Sequence, residues 1–157
     1  MKIVLLLGLM LSFGLGSVDE PNVEGNQSKI TSESNRTATF RQLSHAYGTY
    51  QEALEVAKKE NKNLFILFES EQCRWCKKLQ KTTLLDPLLL KRLNEEFVVA
   101  ILERDKSEYP KQFQIKGVPT VYMMSNQEKI YVERMGYHKD PKDYTKWFNY
   151  VKIESEL

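Results

Sequence analysis

The chain has 157 residues but only two cysteines and two histidines. That scarcity excludes a scaffold stapled by several disulfides. It also argues against a structural zinc site, which takes four ligands, because His45 and His138 both lie far from the cysteines in sequence. An excess of one charge is missing too: 23 basic and 21 acidic residues leave a formal charge of +2. No Lys/Arg stripe stands out, so nucleic acid is not an expected partner. There is no internal repeat. Long apolar runs are lacking after the amino-terminal Ile3 to Leu15, and that run falls short of the roughly 20 residues that span a bilayer.

What is there divides into three parts. Lys2, the apolar run and the small-x-small Gly14-Leu15-Gly16 together read as a signal peptide over residues 1–17. The competing reading is an uncleaved membrane anchor. No cysteine lies near residue 16, so a lipoprotein anchor is not indicated. Residues 18–39 are polar and poor in large apolar side chains, as in a flexible linker. Residues 40–157 carry the patterned sequence. Hydrophobic residues are 41% of the chain and aromatics 11%, which suits one soluble globular domain.

Within that domain, Thr49-Tyr-Gln-Glu52 is a capping-box sequence, and Tyr50, Ala53, Leu54 and Ala57 follow on one helical face. Residues 64–68 and 97–102 are unbroken apolar runs, expected as strands covered on both faces. Helical sequence from Lys77 to about Leu85 follows the cysteines. Asp86-Pro87 and Asp140-Pro141 each place a capping acid before a first-turn proline. Residues 109–114 are expected as a short helix, 118–124 and 130–135 as strands joined by a hairpin at Ser125-Asn126-Gln127. The early strands need crossovers and are expected to run parallel, with the last pair antiparallel. The fold class is α/β, a mixed central sheet with helices on both faces.

Cys73-Arg74-Trp75-Cys76 sits between a buried strand and a helix. Two cysteines this close could form an inert bridge, but a tiny loop gains least from cross-linking. At a helix opening, the first sulfur meets unpaired N–H groups and the positive end of the helix dipole. A thiolate there is expected to be stabilised, with the thiol pKa falling below its ordinary value of about 8.5. Arg74, Lys77 and Lys78 add positive potential, whereas Glu69 and Glu71 oppose it. Cys73 is the expected nucleophile and Cys76 the resolving thiol. Pro119, at the start of an expected strand, is unusual because it cannot donate to a ladder.

Strand, CxxC, helix and then Gly117-Val118-Pro119-Thr120 resembles the thioredoxin superfamily. The resemblance spans Thr49 to Val151. It is closest to exported thioredoxin-like proteins such as the SoxW type and the carboxy-terminal domain of the membrane reductase DsbD. Ala53 to Lys58, Cys76-Lys-Lys-Leu79, Leu85-Asp-Pro87, Leu93-Asn94 and Gly136-Tyr137 also match. It implies a thioredoxin fold, a cis Pro119 beside the disulfide, and a Val118 backbone that pairs with an extended client, with Thr120 next to it. No cofactor is implied beyond the Cys73–Cys76 disulfide, and no metal. Trp75 is expected either to contact clients or to shield the disulfide. Three departures stand out. Gln72 replaces the usual Trp, Leu67 stands where the family has a buried acid, and Arg74-Trp75 is an atypical dipeptide. Glu69 either substitutes for that acid through water or is an exposed loop residue.

The expected activity is thiol–disulfide exchange on protein substrates, with reduction favoured over oxidation or isomerisation. A non-catalytic client-binding module and a Cu(I) carrier are the competing classes. A membrane electron-transfer partner and a monomeric state are expected. The periplasm is the expected compartment, and the endoplasmic-reticulum lumen the alternative on account of the final Glu-Ser-Glu-Leu.

Overall fold

The computed structural model describes residues 38–157. The expected signal peptide, and all of the expected linker except its last two residues, lie outside them. Thr39 caps helix α1 (Phe40–Leu43) in a reciprocal capping box with Gln42. Sequence periodicity could not show this single turn.

Helix α2 (Tyr50–Glu60) starts at Thr49, whose hydroxyl oxygen accepts from the Glu52 N–H. Only half of the anticipated box forms, because the Glu52 carboxylate takes the Thr49 hydroxyl proton at 2.8 Å. Asn61, in the left-handed region at φ 50°, ends the helix and turns the chain into strand β1 (Asn63–Glu69). Helix α3 (Arg74–Lys81) follows, then a single 3₁₀ turn (Thr83–Leu85). Asp86 accepts from the Leu89 N–H at 2.9 Å and starts α4 (Pro87–Glu96). Strands β2 (Phe97–Glu103), β3 (Thr120–Met124) and β4 (Ile130–Met135) and the closing helix α5 (Pro141–Ser155) complete the order.

The sheet order is β2-β1-β3-β4. Strands β1, β2 and β3 are buried along nearly their whole length, as their unbroken apolar sequences require. One face packs Phe65, Leu67, Val99, Ile101 and Met123 under α1, α3, α4 and α5. The other packs Ile66, Phe68, Ala100, Leu102 and Tyr122 under α2 and the segment around Phe113. Among the described residues, no helix is long and apolar enough to cross a membrane.

Two expectations fail in the same place. Residues 109–114 form no helix. Phe113, Ile115 and Val118 instead lie irregularly over the second face, and the apolar side chains that suggested a helical turn are drawn down individually onto the sheet. Pro110 also disfavours helical geometry at Tyr109. Without a crossover helix, the chain returns at the end of the sheet where it left. β1 and β2 are parallel as expected, but β3 runs antiparallel to β1, with Thr120 opposite Phe68. β3 and β4 form the expected hairpin. β3 also begins two residues late, since Val118 and Pro119 belong to the preceding loop.

Candidate functional site

That reversal assembles the site. The loop carrying the cysteines leaves the carboxy-terminal end of β1. Thr120 pairs with Phe68 at the same end, and Met135 pairs with Thr120. Three segments, 70–73, 117–119 and 136–138, therefore meet at one end of the sheet.

Cys73 and Cys76 are joined by a disulfide, with their Cα atoms 5.3 Å apart. Cys73 is the N-cap of α3, and its Sγ accepts from the Cys76 N–H at 3.1 Å. The helix-opening geometry expected from sequence is present: a sulfur occupies the place where a capping oxygen usually sits. Cys73 is half-buried, whereas Cys76 is 0% exposed against the core. Cys73 is thus the more accessible residue of the pair and Cys76 the sheltered one. The loop is braced by Cys73 N–H to Ser70 C=O at 3.0 Å and by Glu71 N–H to the Glu103 carboxylate at 2.9 Å.

The Val118–Pro119 peptide bond is cis. Pro119 is buried, and its carbonyl accepts from the Gly136 N–H at 2.7 Å. Val118 is half-buried, and its backbone N–H and C=O form no hydrogen bond among the described residues. Thr120 is 2% exposed, and its hydroxyl donates to the Gly117 carbonyl at 2.7 Å. It therefore shapes the turn and does not line the cleft.

Trp75 is 43% exposed and stacks on Tyr137, with ring centroids 5.4 Å apart. Together with Val118, Pro119 and Gly136 these rings line an open cleft of about 350 Å³. The Lys78 ammonium lies 5.1 Å from both ring centroids, and the Arg74 guanidinium 5.2 Å from that of Trp75. Thr82 uses its hydroxyl proton on the Lys78 carbonyl at 2.7 Å, so the Tyr137 hydroxyl is the donor in their 3.4 Å contact. Tyr137 and Gly136 were visible in the sequence only as a matching dipeptide. Their partnership with Trp75 and Pro119 depends on the strand register.

Glu69 is not the exposed loop residue expected. It ends β1 with its side chain 21% exposed, 3.3 Å from Arg41 Nη2, and it accepts from Gln80 Nε2 at 2.5 Å. Leu67, two residues earlier on the same face, is completely buried and apolar. One charge expectation also changes. Arg74, Lys77, Lys78 and Lys81 are all exposed and recur at helical spacing, a local basic stripe on α3 that the balanced total conceals.

The fold and site define a mixed-sheet protein with a helix-capping CxxC disulfide beside a cis-proline loop. The thioredoxin-like domain family matches residues 50–152, more than half of the chain, and the protein belongs to that family. Among solved structures it is similar to a thioredoxin from Thermus thermophilus (22% identity, 69% of this chain and 88% of that one, TM-score 0.56). It is also similar to a DsbH oxidoreductase (18%, 69% and 88%, 0.55). The reduced DsbD carboxy-terminal domain of Neisseria meningitidis is a third such structure (21%, 63% and 90%, 0.52). A curated relative, spermatogenesis-associated protein 20 of Mus musculus, is 31% identical over 70 residues. That match spans 41% of this chain and only 9% of the mouse protein. Fold, family and the Cys73–Cys76 pair together support function of the thiol–disulfide oxidoreductase type.

Proposed function

We propose that this protein is an exported oxidoreductase that reduces disulfides in other proteins. The observation that carries the reading is the half-buried Cys73, whose sulfur accepts a backbone N–H at the mouth of α3, with Cys76 fully buried. In the reduced enzyme, the Cys73 thiolate attacks one sulfur of a client disulfide. The other client sulfur departs with the electron pair of the broken bond and takes up a proton. Cys76 then loses its proton, attacks Cys73 Sγ and releases the second client thiol. Two electrons have passed to the client, and the enzyme holds its own disulfide. A dithiol donor, expected to be membrane-bound and facing the periplasm, restores the reduced form. The free N–H and C=O of Val118 pair with the extended client, Pro119 offers no competing donor, and Trp75 packs on it. Arg74 and Glu69 modulate the centre.

Reduction of insulin with dithiothreitol as donor tests the activity. Cys73→Ser abolishes turnover, and Cys76→Ser accumulates a mixed disulfide detectable by mass. Full turnover by Cys73→Ser would overturn the reading. The cations of α3 stabilise a thiolate and so favour the oxidising direction, which makes the reduction potential decisive. A value near about −270 mV supports the reductase, and one near about −120 mV the oxidase.

A further inference from the structure

The outer face of α3 carries Arg74, Lys77, Lys78 and Lys81 at positions i, i+3, i+4 and i+7, all exposed. No carboxylate lies within ion-pair distance of any of them among the described residues. The acids nearest in sequence are engaged elsewhere: Glu69 with Arg41, and Glu71 with Lys106. The helix itself has no acidic residue. Such a stripe is unfavourable for the fold. Like charges one turn apart repel, and Arg74 and Lys77 stand at the positive end of the helix dipole. Two of the four cations nevertheless lie against the aromatic rings that line the cleft. Lys78 bridges the Trp75 and Tyr137 rings, and Arg74 lies over Trp75. The cleft is lined by Val118, Pro119, Gly136 and the rings of Trp75 and Tyr137, and the two cations against those rings give it a positive rim.

We infer that this rim selects clients whose disulfide is flanked by acidic residues. The inference rests on the reading of the cleft as the client site. An extended segment paired to Val118 would lay its side chains alternately into the cleft and along α3. A carboxylate there meets Lys78 and Arg74, and a lysine meets repulsion. The potential of the whole stripe also steers acidic segments toward Cys73 before contact.

Two matched disulfide-bonded peptides test it, identical except for Glu or Lys on both sides of the half-cystine, with dithiothreitol recycling the enzyme. Exposed charge pairs of this kind are each worth about two- to fivefold, so two cations predict kcat/KM about tenfold higher for the Glu peptide at low salt. The preference should collapse toward unity in ~0.5 M salt. The double variant Arg74→Glu with Lys78→Glu should reverse it. Charge effects on Cys73 reactivity alter both peptides alike and cancel in the ratio. Equal turnover of the two peptides overturns the charge selection and leaves the oxidoreductase reading standing. Turnover of neither peptide overturns both.

Discussion

Replacing Phe113 with alanine should loosen the cis-proline loop from a distance. Phe113 is 4% exposed, and its ring lies 4.9 Å from Tyr122, 5.5 Å from Phe68 and 5.6 Å from Tyr50. It is the apolar anchor of a connection that has no helix of its own. Removing a buried ring of this kind costs about 3–5 kcal/mol, as transfer energy plus a cavity the neighbouring rings only partly fill. A domain of this size is typically stable by about 5–15 kcal/mol, so the variant should still fold over all but the bottom of that range. Urea denaturation followed by tryptophan fluorescence reads the loss, and Phe113→Leu should recover all but about 1.5 kcal/mol of it. Because the connection leads directly into Gly117 to Pro119, client reduction should show a raised KM. Reduction of a small aromatic disulfide that needs no strand pairing should be nearly unchanged. A stability loss below about 1 kcal/mol, or equal damage to both substrates, would refute the view that this ring holds the loop.

Gly136 sits at φ +96°, a region L side chains rarely adopt, and its N–H holds the Pro119 carbonyl. Gly136→Ala should cost about 1–2 kcal/mol through backbone strain alone, since a methyl there meets no atom within 4 Å. A thermal scan that shows no shift would contradict this. Tyr50, Tyr122 and Tyr144 should ionise late. Burial raises all three above the ordinary 10.0, aided by Glu128, Glu133 and Asp143 respectively, and Tyr122 is pushed up to about 12. Above pH 10 the unfolded chain loses these protons while the folded chain keeps them. The stabilisation is therefore complete below pH 10 and is lost as pH rises through the folded values, at about 1.4 kcal/mol per pH unit for each tyrosine. Absorbance at 295 nm should show part of the eight-tyrosine signal appearing only with unfolding, and simple titration of all eight near pH 10 would rule it out.

Local chemistry was legible in the residues themselves. Asp86-Pro87 and Asp140-Pro141 mark helix starts because a carboxylate and a proline each satisfy a need of the first turn, whatever lies around them. The apolar runs of β1 and β2 announce two-sided burial, and a CxxC between strand and helix announces a sulfur at a helix mouth. The direction of β3, the absence of a helix at 109–114, the stacking of Trp75 on Tyr137 and the tethering of Glu69 by Arg41 and Gln80 were not legible. Each depends on which distant segments the sheet register brings to the same end. Within its own window Phe113 meets Tyr109 edge-on at 6.3 Å, but its closer partners are the rings of Phe68 and Tyr122, on strands 45 residues before it and 9 after it. Short-range hydrogen bonding determines elements from neighbouring residues, but the burial of apolar surface is decided by the whole chain at once.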